Sequence, residues 1–305
     1  MRVLFMGTPE FAVYSLDALI KSRHEVVGVV TQPDRALKRG KVEFSAVKTA
    51  AENVGLSVFQ PVKIRDEVDK LKAYGADIAV TAAYGQILTQ AVLDAFPQGV
   101  INVHASLLPK YRGASPIQSA IADGESVTGV TIMRTALGVD TGDILGMKST
   151  EIGATENATE LTARLGEIGA KLLVETLDNY DKITPVKQDD GAATHCRMIK
   201  KSELFLDFER PAEEVVNRVR ALADAPCART VICGEIYKIF AARVAVGSVT
   251  DCCGEIIECG NRLVIACADG AIEITELQAP GKRRLSTAEF LRGKKFPVGV
   301  ICAKE

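Results

Sequence analysis

The stretch Gly-Val-Ile-Asn-Val-His at residues 99–104 is the most informative part of this chain about its fold. Apart from Asn102 and the final His104 it is apolar at odd and even positions alike, which is typical of a strand buried on both faces of a sheet. Segments with helical spacing separate it from other short apolar runs. Those runs lie at 3–6, 26–30 and 77–81. A first helix starts within residues 7–10, and others cover 44–54, 64–74 and 90–96. This alternation predicts a Rossmann-like α/β domain with a mostly parallel sheet covered on both faces.

The first predicted helix has a distinct start. Thr8 is expected to cap it, Pro9 to occupy its first position, and Glu10 to stabilise the positive end of its dipole. The turn before it contains Gly7 alone, so the Gly-x-Gly-x-x-Gly fingerprint of dinucleotide-binding domains is missing. The phosphate-binding Gly-x-x-x-x-Gly-Lys-Ser/Thr pattern is missing as well. These absences count against a dehydrogenase or a kinase.

The second half of the chain has a different character. Two more strands and a long helix are predicted between residues 129 and 179, and a polar segment follows at 182–202. An amphipathic helix at 211–222 then leads into short strand-like runs punctuated by glycines, a pattern typical of a small barrel or sandwich. The predicted parts are an α/β domain at 1–186, a linker at 187–202 and an OB-like β-barrel at 203–305.

Composition and charge narrow the class of protein. Of 305 residues 47% are hydrophobic, which is too apolar for a disordered chain. The 37 basic and 39 acidic residues give a net charge of −2, so any nucleic-acid surface must be a local patch. No apolar run approaches the roughly 20 residues of a membrane span. The first residues have the pattern of a strand rather than a signal peptide, so we expect a cytoplasmic protein without membrane contact.

All eight cysteines lie at residue 196 or beyond. Cys252 and Cys253 are adjacent, and the others are widely spaced, so the paired Cys-x-x-Cys spacing of zinc sites is missing. We expect neither a metal site nor a disulfide framework, and interpret these residues as buried or edge thiols.

One of the three histidines stands out by its position. His104 follows a buried strand at its carboxyl end, where open parallel sheets bind ligands, and Asn102 shares its face. Both side chains can donate to a developing oxyanion, although a buried pair that merely satisfies backbone groups is an equal alternative. His24 is expected to be a solvated surface residue, and His195 lies in the polar segment.

Two acidic residues surround a glycine turn further on, Asp140 and Asp143 in the segment 138–145. A carboxylate near His104 could orient its ring and accept a proton. A simple turn remains the alternative for this cluster.

Several segments together carry a resemblance to a known family. They are Gly7-Thr-Pro-Glu-Phe-Ala12, Thr31-Gln-Pro-Asp-Arg35, Asn102-Val-His104-Ala-Ser-Leu-Leu-Pro109, Tyr111-Arg-Gly-Ala-Ser-Pro-Ile117 and Val139-Asp140-Thr-Gly-Asp143. In this order and spacing they resemble the formyltetrahydrofolate-dependent formyltransferase family over nearly the whole chain, in particular the branch that acts on methionyl-tRNA. The resemblance implies 10-formyltetrahydrofolate as co-substrate, the initiator methionyl-tRNA as acceptor and no metal; we expect a monomer that binds no DNA.

The resemblance also assigns roles to residues. Asn102, His104 and Asp140 match the catalytic trio of the family. The residues that match its folate-binding positions are Ser106, Leu107, Leu108 and Pro109, with an expected cis bond at 108–109, together with Tyr84, Gly85, Gln86, Ile87, Leu88, Val139, Gly142 and Asp143. The expected tRNA contacts are Arg39 with Lys38 and Lys41, Lys200 and Lys201 in the linker, and Lys282, Arg283 and Arg284.

The tRNA contacts rest on three basic clusters, at 35–41, 197–201 and 282–295. A solvated charged face is the usual alternative for any one cluster, whereas three of them spread along the chain are typical of a long ligand. The loop at 32–40 departs from the family by losing a proline and a glycine, and the chain has no tryptophan where the family has one near 225–228.

Other enzymes with the same trio remain alternatives. A nucleotide-sugar N-formyltransferase and the hydrolase-like half of formyltetrahydrofolate dehydrogenase could both keep it. Glycinamide ribonucleotide formyltransferase shares it but stops after one domain. A nonenzymatic RNA-binding protein built on an inactive transferase is the alternative from a separate class, and the intact Asn102, His104 and Asp140 argue against it.

Overall fold

The computed structural model describes residues 1–36, 42–246 and 252–303. The chain divides into two compact units that are not continuous in sequence. The N-terminal unit comprises 1–116, 127–151 and 162–196, and the C-terminal unit comprises 117–126, 152–161 and 197–305. Within the described residues, no helix is both long and apolar enough to span a bilayer.

The N-terminal unit is built on a mixed sheet. The strands of this unit are β1 (Arg2–Gly7), β2 (Glu25–Val30), β3 (Arg35–Ala36), β4 (Val42–Glu43), β5 (Val58–Phe59), β6 (Ile78–Ala82), β7 (Val100–His104), β8 (Arg112–Gly113), β9 (Val127–Arg134), β10 (Ile144–Glu151) and β11 (His195–Cys196). Seven strands in the described residues form the main sheet, in the order β10-β9-β7-β6-β1-β2-β5. The pairs from β7 to β5 are parallel, and β9 is antiparallel to both β7 and β10. The predicted Rossmann-like sheet is therefore confirmed.

Helices follow the strands, and all but the one at 116–122 lie in segments where the apolar spacing predicts a helix. They are α1 (Glu10–Ile20), α2 (Ala46–Asn53), α3 (Val68–Ala73), α4 (Gln90–Leu93), α5 (Pro116–Ala122) and α6 (Ala158–Asp178). The start of α1 differs from the prediction, since Pro9 is its N-cap and Thr8 does not cap it. The Thr8 hydroxyl instead donates to the Tyr84 carbonyl over 3.0 Å, which joins the loops after β1 and β6.

The prediction for His24 is wrong. The residue is only 6% exposed, and its ring nitrogens lie 3.2 Å from the Met1 amino group and 3.2 Å from Asp178 Oδ1. Burial lowers the pKa of His24, the positive amino terminus lowers it further, and Asp178 opposes both effects.

The C-terminal unit is an antiparallel half-barrel preceded by a helix. Its elements are α7 (Ala212–Leu222), β12 (Ala228–Ile232), β13 (Glu235–Ala245), β14 (Ile256–Cys259), β15 (Leu263–Ala266), β16 (Ala271–Gln278), β17 (Arg284–Ser286) and α8 (Thr287–Gly293). The strand order is β12-β13-β16-β15-β14, with β17 beside β16. Residues 301–303 bridge the two edges, because Ala303 pairs with Val231 of β12 and Ile301 pairs with Glu255 next to β14. The curled sheet confirms the predicted barrel-like fold.

Candidate active site

Asn102 and His104 lie two residues apart on β7, so their side chains are on the same face of the sheet. The buried hydroxyl of Thr81, on the neighbouring strand β6, donates to Asn102 Oδ1 over 2.8 Å. The Asn102 amide nitrogen therefore faces the other way, and it lies 3.4 Å from Asp140 Oδ1.

Asp140 comes from the loop between β9 and β10 and meets both β7 side chains. Its second carboxylate oxygen, Oδ2, lies 3.6 Å from His104 Nδ1 and accepts the Gly113 N–H over 2.8 Å. Asp140 has a φ of 52°, in the left-handed region that residues with a side chain seldom adopt. The structure thus brings together the amide, the imidazole and the carboxylate that the sequence singled out.

The second imidazole nitrogen of His104 is already engaged. His104 Nε2 lies 2.9 Å from the Tyr111 carbonyl oxygen, which can only accept, so Nε2 carries a proton. Nδ1 is then the nitrogen that faces Asp140. His104 is 5% exposed, and this burial strengthens electrostatic interactions at the site.

The loop at 106–109 directly follows β7 and is held by hydrogen bonds. Thr131 of β9 links two of its backbone groups, accepting from Leu108 N over 3.1 Å and donating to the Ser106 carbonyl over 2.7 Å. Ser106 Oγ donates to the Lys110 carbonyl over 2.6 Å, and the Leu108–Pro109 bond is cis. Leu107 and Pro109 are partly exposed, while Ser106 and Leu108 are buried.

The segment 84–88, which follows β6, alternates between buried and exposed residues along its length. Tyr84 and Leu88 pack into the core of the N-terminal unit, and burial raises the pKa of the Tyr84 phenol. Gln86 fixes the segment, because its side chain accepts from Ile64 N over 2.8 Å and donates to the Pro61 carbonyl over 3.1 Å. Gly85 has a positive φ, and Ile87 is 83% exposed.

The residues next to Asp140 also differ from one another, in exposure and in the hydrogen bonds of their backbone. Val139 is 64% exposed and directly precedes Asp140. Gly142 and Asp143 contribute backbone carbonyls, to Gln188 over 2.7 Å and to Arg134 N over 2.8 Å respectively.

The candidate tRNA contacts fall into three groups. Lys38, Arg39 and Lys41 lie outside the described residues. Lys200, Lys201, Lys282 and Arg283 are exposed. Arg284 is also exposed, but its guanidinium pairs with Asp224 and, over 2.6 Å, with Glu276. Its charge is therefore already balanced within the chain.

Possible metal ligands do not group together in the part of the chain that the structure describes. No three His, Cys, Asp or Glu side chains there cluster as a metal site would need. The buried thiols are poor nucleophiles, because burial raises the pKa of the Cys227 thiol to about 11 and that of the Cys302 thiol to about 12.

Three residues that shape the site are not among those predicted from the sequence: Thr81, Thr131 and Gln188. Thr81 and Thr131 belong to the predicted strands, and their strand positions place them next to β7. Gln188 lies in the segment interpreted as a linker. It is only 5% exposed, and nothing in the polar sequence around it indicates this burial.

Comparisons with known proteins give the site its context. The formyl transferase family matches residues 1–177, and the C-terminal domain of formyl transferases matches residues 198–295. A methionyl-tRNA formyltransferase of Citrifermentans bemidjiense is 43% identical over 311 residues, which cover 100% of this chain and 97% of the relative. Another, of Lachnospira eligens, is 44% identical over 312 residues and 99% of both chains.

Solved structures share the fold at lower identity. WlaRD, a sugar 3N-formyl transferase crystallised with dTDP and 5-N-formyl-THF, has a TM-score of 0.69 at 20% identity, covering 93% of this chain and 99% of its own. HypX from Aquifex aeolicus in complex with tetrahydrofolic acid has a TM-score of 0.65 at 18% identity, covering 95% of this chain and 47% of its own. The two family matches and the full-length relatives show that this chain belongs to the formyl transferase family, among the methionyl-tRNA formyltransferases.

Proposed function

We propose that the protein transfers the formyl group of 10-formyltetrahydrofolate to the α-amino group of methionyl-initiator tRNA, as a cytoplasmic monomer serving translation initiation. The observation that carries the proposal is that the Asp140 carboxylate lies 3.4 Å from Asn102 Nδ2 and 3.6 Å from His104 Nδ1 in a chain of this family. An amide donor, an imidazole and a carboxylate are the groups that formyl transfer to an amine requires.

The trio has a separate task for each member. The amine attacks the formyl carbon, and the oxygen of the tetrahedral intermediate becomes negative. Asn102 Nδ2 and a protonated His104 Nδ1 donate to that oxygen, and one such donor is typically worth about 3 kcal/mol. Asp140 accepts the amine proton, directly or through a water, and stabilises the imidazolium. When the intermediate collapses, its C–N bond to the folate breaks, and that nitrogen takes up the proton that Asp140 accepted from the amine.

The chain offers both rigid and apolar surface for the folate. Thr131 fixes the backbone at Ser106 and Leu108, so this loop needs little reordering when it binds a ligand. Ile87 and Val139 are exposed apolar side chains on the two loops beside the trio, one after β6 and one preceding Asp140. Such side chains can pack on a flat ring system, while polar groups fix its orientation. The reaction requires no metal and no covalent enzyme intermediate.

Binding of the tRNA rests on exposed cations. Lys282, Arg283, Arg292 and Lys295 are exposed within a short stretch of the C-terminal unit, and Lys200 and Lys201 are exposed before it. Phosphate contacts of this kind supply affinity without reading sequence. We propose the same role for Lys38, Arg39 and Lys41, which lie outside the described residues.

A second candidate is formyl transfer to an amino sugar nucleotide, because WlaRD has the same fold over 93% of this chain. One assay separates the two functions: the purified protein receives 10-formyltetrahydrofolate with methionyl-tRNA, with a 4-amino sugar nucleotide, or with no acceptor. We expect consumption of the donor with methionyl-tRNA alone. Consumption only with the sugar, or equal consumption without any acceptor, would overturn the proposal.

A further inference from the structure

Gln188 lies beneath the loop that carries Asp140 and is 5% exposed. Its side-chain nitrogen donates twice, to the Asp140 carbonyl over 2.9 Å and to the Gly142 carbonyl over 2.7 Å. These bonds hold the backbone on both sides of Thr141. The loop between β9 and β10 is thus tied to a residue far away in sequence.

The oxygen end of the same side chain is held by a buried arginine. Arg112, 4% exposed, donates to Gln188 Oε1 from Nε over 3.0 Å and from a terminal nitrogen over 2.9 Å. That terminal nitrogen also lies 2.7 Å from Asp190 Oδ1. A carboxamide has two donors and two acceptor positions, and Gln188 uses all four. Its orientation is therefore fixed at both ends.

The arginine links this support to the Asp140 carboxylate. Gly113, which directly follows Arg112, donates its N–H to Asp140 Oδ2 over 2.8 Å. One end of the assembly therefore holds the backbone of Asp140, and the other end holds its carboxylate. Both are needed because Asp140 has a left-handed φ of 52°, which costs energy for a residue with a side chain.

The loop has little room to find another arrangement. A side chain at Gly142 would collide with the carbonyl oxygen of Arg134, so the backbone packs closely at that point. With one side blocked by packing and the other tied to Gln188, the Asp140 carboxylate stays between Asn102 and His104.

We propose that Gln188 is a positioning residue for formyl transfer: through the carbonyls of Asp140 and Gly142 it holds the Asp140 carboxylate in register with Asn102 and His104. This inference rests on the proposed function and adds a residue from the segment that the sequence assigned to a linker. It acts as a donor, so the side chain at this position must carry N–H groups.

The test compares variants at this position with a matched control. Gln188→Ala removes the support, and Gln188→Glu keeps an acceptor for Arg112 but presents acceptors to the two carbonyls. Tyr180→Phe is the control, since it removes another bond from a buried side chain to a backbone carbonyl, from Tyr180 to Gln98 over 2.9 Å, keeps the ring against Arg134 and touches none of the bonds of Gln188. Each variant is assayed for kcat and for the KM of both substrates, and its melting temperature is measured.

We expect kcat to fall about 100-fold in both Gln188 variants, as misplacing a reacting group by about 1 Å does. The KM values of the Gln188 variants should stay within about threefold of the wild-type values. Tyr180→Phe should lose about as much melting temperature as the Gln188 variants but keep the wild-type kcat. Unchanged kcat in Gln188→Ala, full activity in Gln188→Glu, or an equal loss in Tyr180→Phe would overturn the proposal.

A measurement without substrates separates this inference from the function. The Gly113 amide proton, observed by nitrogen-15 NMR, reports its bond to Asp140 Oδ2. We expect it to move upfield in Gln188→Ala, as in Asp140→Ala, and to stay in place in Tyr180→Phe. If wild type does not formylate methionyl-tRNA while this signal moves, the proposed function fails and the positioning holds; an unmoved signal overturns the positioning.

Discussion

The hydroxyl of Thr81 donates to Asn102 Oδ1 over 2.8 Å, and together with the Asp140 carboxylate it sets which end of the Asn102 amide faces Asp140. With Oδ1 engaged, Nδ2 is directed toward the Asp140 carboxylate at 3.4 Å. The reverse orientation would place two acceptor oxygens against each other. The amide donor of the site is therefore oriented by a residue on the neighbouring strand.

The first prediction follows from that bond. Thr81→Val keeps the shape of the side chain but lets the Asn102 amide rotate, so we expect kcat to fall about tenfold, the loss that about 1.4 kcal/mol of transition-state stabilisation produces. Thr81→Ser retains the hydroxyl and serves as the control. Steady-state kinetics with both substrates measure the effect; equal kcat values for the Val and Ser variants would contradict it.

The second prediction concerns the trio. Asn102→Ala, His104→Ala and Asp140→Ala should each lose about 100-fold or more in turnover, because each removes an oxyanion donor or the proton acceptor. Circular dichroism and melting curves establish that the variants fold. Near-normal turnover in any one variant would remove that residue from the mechanism.

Part of the site was predictable because strand periodicity is local. The period of two places Asn102 and His104 on one face without any structure. Asp140 was assigned through the resemblance to the family, because no rule of spacing brings a loop residue next to a strand that ends 36 positions earlier, at His104.

Burial that depends on distant partners could not be predicted. His24 stands among Lys21, Ser22 and Arg23 and has the pattern of a solvated helix end, yet Met1 and Asp178 enclose it. Gln188 lies in a polar stretch, and Arg112, 76 residues away, accounts for its burial. Polar residues that are buried through such pairs leave no periodic trace in the sequence.

The third prediction distinguishes the roles of two neighbouring arginines, Arg283 in tRNA binding and Arg284 in stability. The double variant Lys282→Ala with Arg283→Ala should weaken tRNA binding and lower the slope of log affinity against log salt by about 0.7–0.9 for each phosphate that the two side chains neutralise. Arg284→Ala should leave that slope unchanged and lower the free energy of unfolding, since Arg284 pairs with Asp224 and Glu276. Filter binding from low to high salt measures the slopes, and identical slopes for the double variant and wild type would count against these contacts.

The fourth prediction is a pH dependence of stability. Burial, followed by the charge of the amino terminus, lowers the pKa of His24, while Asp178 opposes them and Arg23 adds to them. The unfolded chain then binds more protons than the folded one as the pH falls through the ordinary histidine pKa of about 6.5. Stability from this residue is therefore complete above that pH and lost below it.

Urea unfolding of wild type and His24→Gln at pH 7.5 and pH 5.5 measures this contribution. The wild type should lose more free energy of unfolding than the variant between the two pH values. Other titrating groups are common to both proteins, so the difference isolates His24. A variant that loses as much as wild type would show that His24 is as readily protonated in the folded state as in the unfolded one.

The fifth prediction concerns the cysteines. Cys233 and Cys252 are exposed, whereas Cys227, Cys267 and Cys302 are buried, and burial raises the pKa of the latter two thiols to about 12. The thiolate is the reactive form, so a thiol reagent at pH 8 should modify Cys233 and Cys252 in the folded protein and the buried thiols, Cys196 among them, only after unfolding. Mass spectrometry of the labelled peptides identifies the sites. Rapid labelling of Cys267 or Cys302 would mean that the half-barrel opens readily in solution.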